Sequence, residues 1–334
     1  MLNLFSNKKI VNIVIDDYVI RMVDQPNGTV TQWKNLKEKL VPAGLLERGR
    51  IVDEIEFYHF IKDTVREWGI KKRNVRFYVP DSLVIMKKVT YPANLEETEI
   101  KGHFIMELGR TLYLPFENPI FDIYPIPTTD GNEEREGLLF AVPEEEIKKY
   151  TEIFDDCGLT PIAADIRAIG VYRFYQSLQS IDNNDAYLFL EVNLDSVLVS
   201  IFSHNRPEFL RYMDLEVQLS NWNWSRTETN FLQWEYKGEI DYINRLIDDQ
   251  ITEIERILSF YRYSIHKGER AVSKIILLGD IPNMNTLYEK LQSQLSLSIE
   301  LLDANLPLKK MTQVPRSFIP AVGLAMRGGS ERDS

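Results

Sequence analysis

Val11-Asn-Ile-Val-Ile-Asp-Asp-Tyr-Val-Ile-Arg-Met-Val23 is an apolar run, an acidic break and a second apolar run. The pattern returns midway as Ala186-Tyr-Leu-Phe-Leu-Glu-Val-Asn-Leu-Asp-Ser-Val-Leu-Val-Ser-Ile-Phe202. Short β-branched and aromatic runs around Asp, Asn and Ser predict strands joined by tight turns. Two such hairpins predict a two-lobed chain with a cleft between the lobes. In folds that clamp a nucleotide this way, the turns hold phosphates.

Outward from the hairpins, strands and helices alternate in both halves, which predicts mixed α/β lobes rather than a bundle or a sandwich. A third strand is expected near Val30–Trp33. Asp53 is placed to cap a helix with Ile55, Tyr58, Ile61, Val65 and Trp68 on one face, ended by Gly69. Strands follow at Val75–Val79 and Leu83–Tyr91. The next helix carries Glu96, Glu97 and Glu99 at its positive end and buries Ile100, Phe104, Leu108 and Leu112. Ile120–Ile126 and Leu138–Val142 read as strands around a polar loop with Asp130-Gly131. Pro143-Glu-Glu-Glu146 opens another helix, and the helix dipole accounts for its acids better than a metal does.

In the second half, strands are expected at 186–193, 196–202 and 207–215. The aromatic stretch Ser220–Lys237 comes next, then a helix with Ile243, Ile247, Ile251 and Ile254 at three- and four-residue intervals. Lys274–Leu278 reads as a buried strand. A helix from Met284, a strand at Ile299–Leu302 and a helical segment near Pro320 complete the pattern.

Composition bounds the function. The 334 residues suit about two domains. A net charge of −11 argues against a general nucleic-acid binder. Cys157 stands alone, so there is no disulfide framework or thiolate metal cluster, and the four histidines have no metal-ligand spacing. No run approaches the ~18 apolar residues of a spanning helix. Met1–Lys9 is too short in its apolar part for a signal sequence, and Gly328–Ser334 is a polar tail. The expected location is cytoplasmic, with any membrane attachment made through a partner.

Gly49-Arg-Ile-Val-Asp53, Val79-Pro80, Tyr91-Pro92, Glu107, Leu114-Pro-Phe116, Asp122, Ala141–Tyr150, Cys157-Gly-Leu-Thr-Pro161 and Asp165, in this order and spacing, together resemble the PilM family, actin-like proteins of bacterial type IV pilus and competence machinery. Late in the chain, Glu253-Ile-Glu-Arg256, Phe260-Tyr261 and Pro320–Arg327 are similar again. The resemblance implies an actin-like fold of two ribonuclease-H-like lobes. The first would span 1–180 with an inserted α+β subdomain at about 81–165, the second 181–327, and 328–334 the tail. It also implies a scaffold that binds the N-terminal cytoplasmic peptide of a PilN-like bitopic inner-membrane protein, works with other pilus platform proteins and further copies of itself, and in some members binds ATP.

The phosphate turns depart from the family's glycine-bearing pattern. Asp16, Asp17, Asn193, Asp195, Ser196 and Gly279 mark a degenerate ATP and Mg²⁺ site. Bulky residues there obstruct close approach by a phosphate, and adjacent acids repel it without a metal. The expectation is a chain that needs no cofactor and does not hydrolyse ATP. Trp222, Trp224 and Trp234 stand where the family has a glycine pair and a lysine-bearing helix. They read either as packing that fills a vacated cleft or as a partner-binding surface. An ATP-driven switch in the same machinery is the alternative function. A small-molecule kinase ranks third, because only fold analogy supports it.

Overall fold

The computed structural model describes residues 9–24, 34–127, 133–303 and 314–328. The strand expected near Val30–Trp33, the Asp130-Gly131 loop and all of the polar tail beyond Gly328 lie outside the described residues. Strand β1 (Ile10–Asp16) turns at Asp17-Tyr18 into β2 (Val19–Asp24), and β3 (Lys34–Leu40) pairs antiparallel with β2. A two-residue ladder of β4 (Leu46–Glu47) and β5 (Arg50–Ile51) leads into helix α1 (Glu54–Trp68). Asp53 caps this helix by accepting from Glu56 N at 3.0 Å, and Gly69 ends it in the left-handed region at φ 67°. Its inner stripe is Phe57, Phe60, Ile61, Val65 and Trp68. Ile55, expected inside, is 71% exposed, because it falls off the three- and four-residue spacing that Phe57 sets.

Strand β6 (Asn74–Tyr78) pairs parallel with β1. A separate layer then interrupts the lobe, formed by β7 (Ile85–Pro92), α2 (Glu97–Glu107), β8 (Pro119–Pro125) and β9 (Glu134–Pro143). The strands make an antiparallel sheet in the order β7-β9-β8. Helix α2 stops at Glu107, short of the expected Leu112, and Gly109 at φ 75° folds the chain back. Leu112 still joins Ile100 and Phe104 in the buried cluster under this sheet. The inserted layer closes at Pro143, because α3 (Glu144–Asp156) packs on α1 and β10 (Thr160–Asp165) pairs with β6. It is therefore shorter than the expected 81–165.

Helix α4 (Arg167–Leu178) carries the chain into a second sheet of β11 (Ala186–Val192), β12 (Ser196–Ser203) and β13 (Arg206–Asp214). A hairpin of β14 (Trp222–Arg226) and β15 (Leu232–Tyr236) precedes α5 (Ile240–Ser259), which runs on into a π-helical turn at Phe260–Ile265. Strand β16 (Lys274–Leu278), helix α6 (Met284–Gln294), β17 (Ser298–Leu301) and α7 (Ile319–Ala325) follow.

The two five-stranded sheets have one design. The first is ordered β10-β6-β1-β2-β3 and the second, read from its far end, β17-β16-β11-β12-β13. Each places an antiparallel three-strand meander beside two parallel strands. Helices α4 and α7 lie between the sheets, in a core that joins Val14 and Val23 to Phe189, Leu198 and Ile276. A full side chain of this kind is worth about 1.5–3 kcal/mol when buried, so this shared core binds the lobes together. A Cβ on Gly323 would come within 2.1 Å of the Gly170 carbonyl oxygen, so α7 and α4 meet backbone to backbone.

Candidate functional site

The turns of the two long hairpins face the cleft between the sheets, and two buried arginines occupy the space between them. Arg21 on β2 and Arg167 at the start of α4 are 3% and 5% exposed. Arg21 Nε donates to Glu38 Oε2 at 3.0 Å, and its Nη2 lies 2.7 Å from Asp280 Oδ2, across the cleft. Asp16 Oδ2 is 3.7 Å from its Nη1. Arg167 donates to Asp16 on its own lobe and to Glu191 of β11 at 3.0 Å on the other. Its Nε sits 2.7 Å from Asp81 Oδ2 in a contact too poorly aligned to count as a hydrogen bond. Tyr18 Oη donates to Asp280 at 2.9 Å.

Burial dominates the electrostatics of this cluster. It pushes the Asp81 carboxyl up to about 7 against the pull of Arg167, with Glu191 and Asp16 adding to the rise. It raises Glu191 as well, again opposed by Arg167. Five carboxylates thus converge on two guanidinium groups, which have no cationic capacity left over.

Each residue expected at a nucleotide site already has a partner. Asp16 is held by Arg167. Asp17 accepts from the backbone N–H of Arg48 at 2.5 Å and of Gly49 at 2.8 Å, tying the β4–β5 turn to the hairpin. Burial raises its carboxyl, and those two hydrogen bonds oppose the rise. Asn193 Nδ2 donates to Glu191 at 3.3 Å, and its backbone N–H closes the β11–β12 turn on Ser196 O at 2.9 Å. Ser196 Oγ donates to Asp195 at 2.9 Å, and burial takes the Asp195 carboxyl up to about 7. Gly279, at φ 123°, lies so near β11 that a Cβ there would sit 2.1 Å from the Val192 carbonyl oxygen. Its need for glycine comes from that approach. Among the described residues, no group of three or more His, Cys, Asp or Glu could hold a metal ion. A polyphosphate does not fit this arrangement: among the described residues it would meet acids at the cleft, with no unpaired cation and no open glycine turn there.

The tryptophans divide. Trp222 is buried in the second lobe, edge-on to Tyr236 at 5.1 Å. Trp234 is partly buried and stands edge-on to Tyr18 of the first lobe at 5.3 Å. Trp224, paired across the hairpin with Trp234, remains 54% exposed. The three rings share one face of the β14–β15 ribbon, since Trp222 opposes Tyr236 and Trp224 opposes Trp234. The opposite face carries the polar side chains Asn223, Ser225, Gln233 and Glu235. The ribbon also donates from Leu232 N to Glu38, so it spans the lobes.

Sequence reasoning missed Arg21, Glu38, Asp81, Arg167 and Asp280 as members of a cluster, and read Glu191 only as part of a turn. A signal was present for two of them. Arg21 and Glu191 are lone charges within otherwise apolar strands, and such charges are kept inside only when paired.

A second feature lies beside the inserted sheet, a groove of about 730 Å³. One wall is the sheet face that carries Ile120, Asp122 and Tyr124 of β8 with Leu138, Phe140 and Val142 of β9. Alternation puts Phe121, Leu139 and Ala141 on the other face, under α2. The far wall is the end of β10 and the side of α4 bearing Ile169 and Arg173. Ile120 and Tyr124 are 42% and 54% exposed. Strand β8 is an edge strand, and among the described residues nothing pairs with its outer side.

A family model described as type IV pilus assembly protein PilM matches residues 13–216. The chain belongs to the PilM family. Comparison with curated proteins finds no match. Among solved structures, the PilM-PilN type IV pilus biogenesis complex is similar at a TM-score of 0.78 and 18% identity, over 96% of this chain and 99% of that one. A Bacteroides thetaiotaomicron protein with an actin-like ATPase fold gives 0.47 and 12%, over 90% and 94%. MreB5 of Spiroplasma citri bound to ADP gives 0.49 and 9%, over 97% of each chain. The fold is actin-like, and the duplicated sheet order agrees with that assignment. No helix among the described residues is long and apolar enough to cross a membrane.

Proposed function

We propose that this PilM-family chain is a non-catalytic scaffold of the type IV pilus or competence machinery. It takes the N-terminal cytoplasmic peptide of a PilN-like inner-membrane protein in the groove beside β8 and does so without ATP hydrolysis. The observation that carries this reading is the pairing of an open edge strand with a half-apolar groove. An extended peptide adds main-chain hydrogen bonds along such an edge while alternate side chains enter the groove. The chain's acidic balance steers a peptide rich in Lys and Arg toward it. Through that peptide the scaffold sits at the inner face of the membrane, beside other platform proteins and further copies of itself.

A second reading, an ATP-driven switch, is supported by the two acidic turns that face each other across the cleft. The crowded ion pairs between them favour the first. Calorimetry separates the two. The scaffold reading expects the peptide to bind in the presence of EDTA and Mg-ATP alone to give no heat. Peptide binding that strictly required Mg-ATP, or ATP binding abolished by Asp16→Ala, would overturn it in favour of the switch.

A further inference from the structure

The geometry points to a built-in latch: we propose that Arg21 and Arg167, with the carboxylates they hold, keep the two lobes closed with nothing bound between them. A hinged pair of lobes closes only if some contact exists in the closed state and not in the open one. Here the chain itself supplies such contacts. Arg167 holds Asp16 on the first lobe and reaches Glu191 on the second at 3.0 Å. Arg21 holds Glu38 on the first and reaches Asp280 on the second at 2.7 Å. Both guanidinium groups therefore have a partner on each side. Opening the cleft would strip each buried arginine of its distal carboxylate, and a buried charge without its partner is strongly disfavoured.

A second, apolar part reinforces the first. Tyr18 and Val19 of the first lobe lie inside the second lobe's core cluster. The β14–β15 ribbon lays Trp234 against Tyr18, and Phe231, at its turn, meets Phe318 edge-on at 5.3 Å. The ribbon thus covers the same side of the cleft that the arginines cross. In a protein whose lobes closed around a ligand, these positions would be left open for it.

The latch stands apart from the peptide reading, since its test contains no peptide. Spin labels are placed at Lys62→Cys on α1 and Glu289→Cys on α6 in a Cys157→Ala background, and the interlobe distance is measured by pulsed electron resonance. The expected result is one narrow distribution, unchanged by EDTA or Mg-ATP. Arg167→Met combined with Arg21→Met is expected to broaden it and move it outward by more than about 2 Å, the scale of hinge rearrangements. Glu191→Gln and Asp280→Asn remove only the distal acceptor charges, so they serve where the arginine variants do not fold. They are expected to broaden the distribution in the same direction. An unchanged narrow distribution in folded variants contradicts the latch. So does a wild-type distribution that narrows only when Mg-ATP is added.

Discussion

Arg167 Nη1 lies 3.0 Å from Glu191 Oε1, and this contact ties the first turn of α4 to the first strand of the second sheet. Both side chains are buried, and Asp16 and Asp81 share the same guanidinium. Arg167→Met therefore leaves three carboxylates facing one another away from water. The expected loss is about 3–5 kcal/mol, read from chemical denaturation, because breaking a buried pair leaves uncompensated charge. Adding Glu191→Gln to that variant restores part of the loss. If Arg167→Met alone were as stable as wild type, the cluster would not contribute as described.

Asp195 gives a pH dependence of unusual sign. Burial, followed by the neighbouring Asp17, raises its carboxyl from 3.8 to about 7. The native chain thus keeps this proton where the unfolded chain has released it. Its contribution to stability is full below the unfolded value, declines as pH rises and is gone above about 7. Asp195→Asn removes the ionisation and retains an oxygen to accept from Ser196. The variant is expected to melt about 2–4 °C above wild type near pH 8, with the gap closing toward pH 4. A gap that stayed constant with pH would remove Asp195 as its source.

Gly279 serves backbone packing. Gly279→Ala pushes a methyl group into the Val192 carbonyl at a positive φ, which is expected to cost about 2–3 kcal/mol. The N–H groups of Asp280 and Ile281 both donate to Val192 O, so the displacement also loosens Asp280 from Arg21. Denaturation should show the loss equally with and without Mg-ATP. A loss seen only with nucleotide present would restore Gly279 to a ligand role.

The tryptophans report on packing. Trp222 and Trp234 lie in the second lobe's core and its margin, and among the described residues no tryptophan lines the groove beside β8. Intrinsic fluorescence is expected to stay silent on addition of either Mg-ATP or the peptide. A shift produced by the peptide would move the docking site to the β14–β15 ribbon.

Much of the fold was legible because local signals agreed with it. The two long hairpins lie where their apolar runs and acidic turns place them, and α1 keeps its Asp53 cap and Gly69 end. Helix α5 buries Ile243, Ile247, Ile251 and Ile254 as their spacing requires. Signals failed where the environment is two-sided. Helix α4 lies between two sheets and buries residues around much of its circumference, so Arg167–Leu178 shows no stripe to read. The β14–β15 ribbon hides in a stretch where its rings stand out and its alternation is easily overlooked. The cleft could be read as far as its turns. Its contents could not, because Arg21 and Asp280, like Arg167 and Asp16, meet only in three dimensions.

Peptide docking in the groove beside β8 is tested directly by one binding measurement. A fluorescently labelled peptide from the cytoplasmic N-terminus of a PilN-like protein is titrated with the wild-type chain in nucleotide-free buffer, and anisotropy is followed. The same titration is run with Ile120→Arg, which sets a charge on the exposed groove wall and leaves the buried face of β8 intact. Saturable binding is expected for the wild type, with at least a ~10-fold weaker affinity in the folded variant, a difference of about 1.4 kcal/mol. Equal affinities for the two proteins would contradict it.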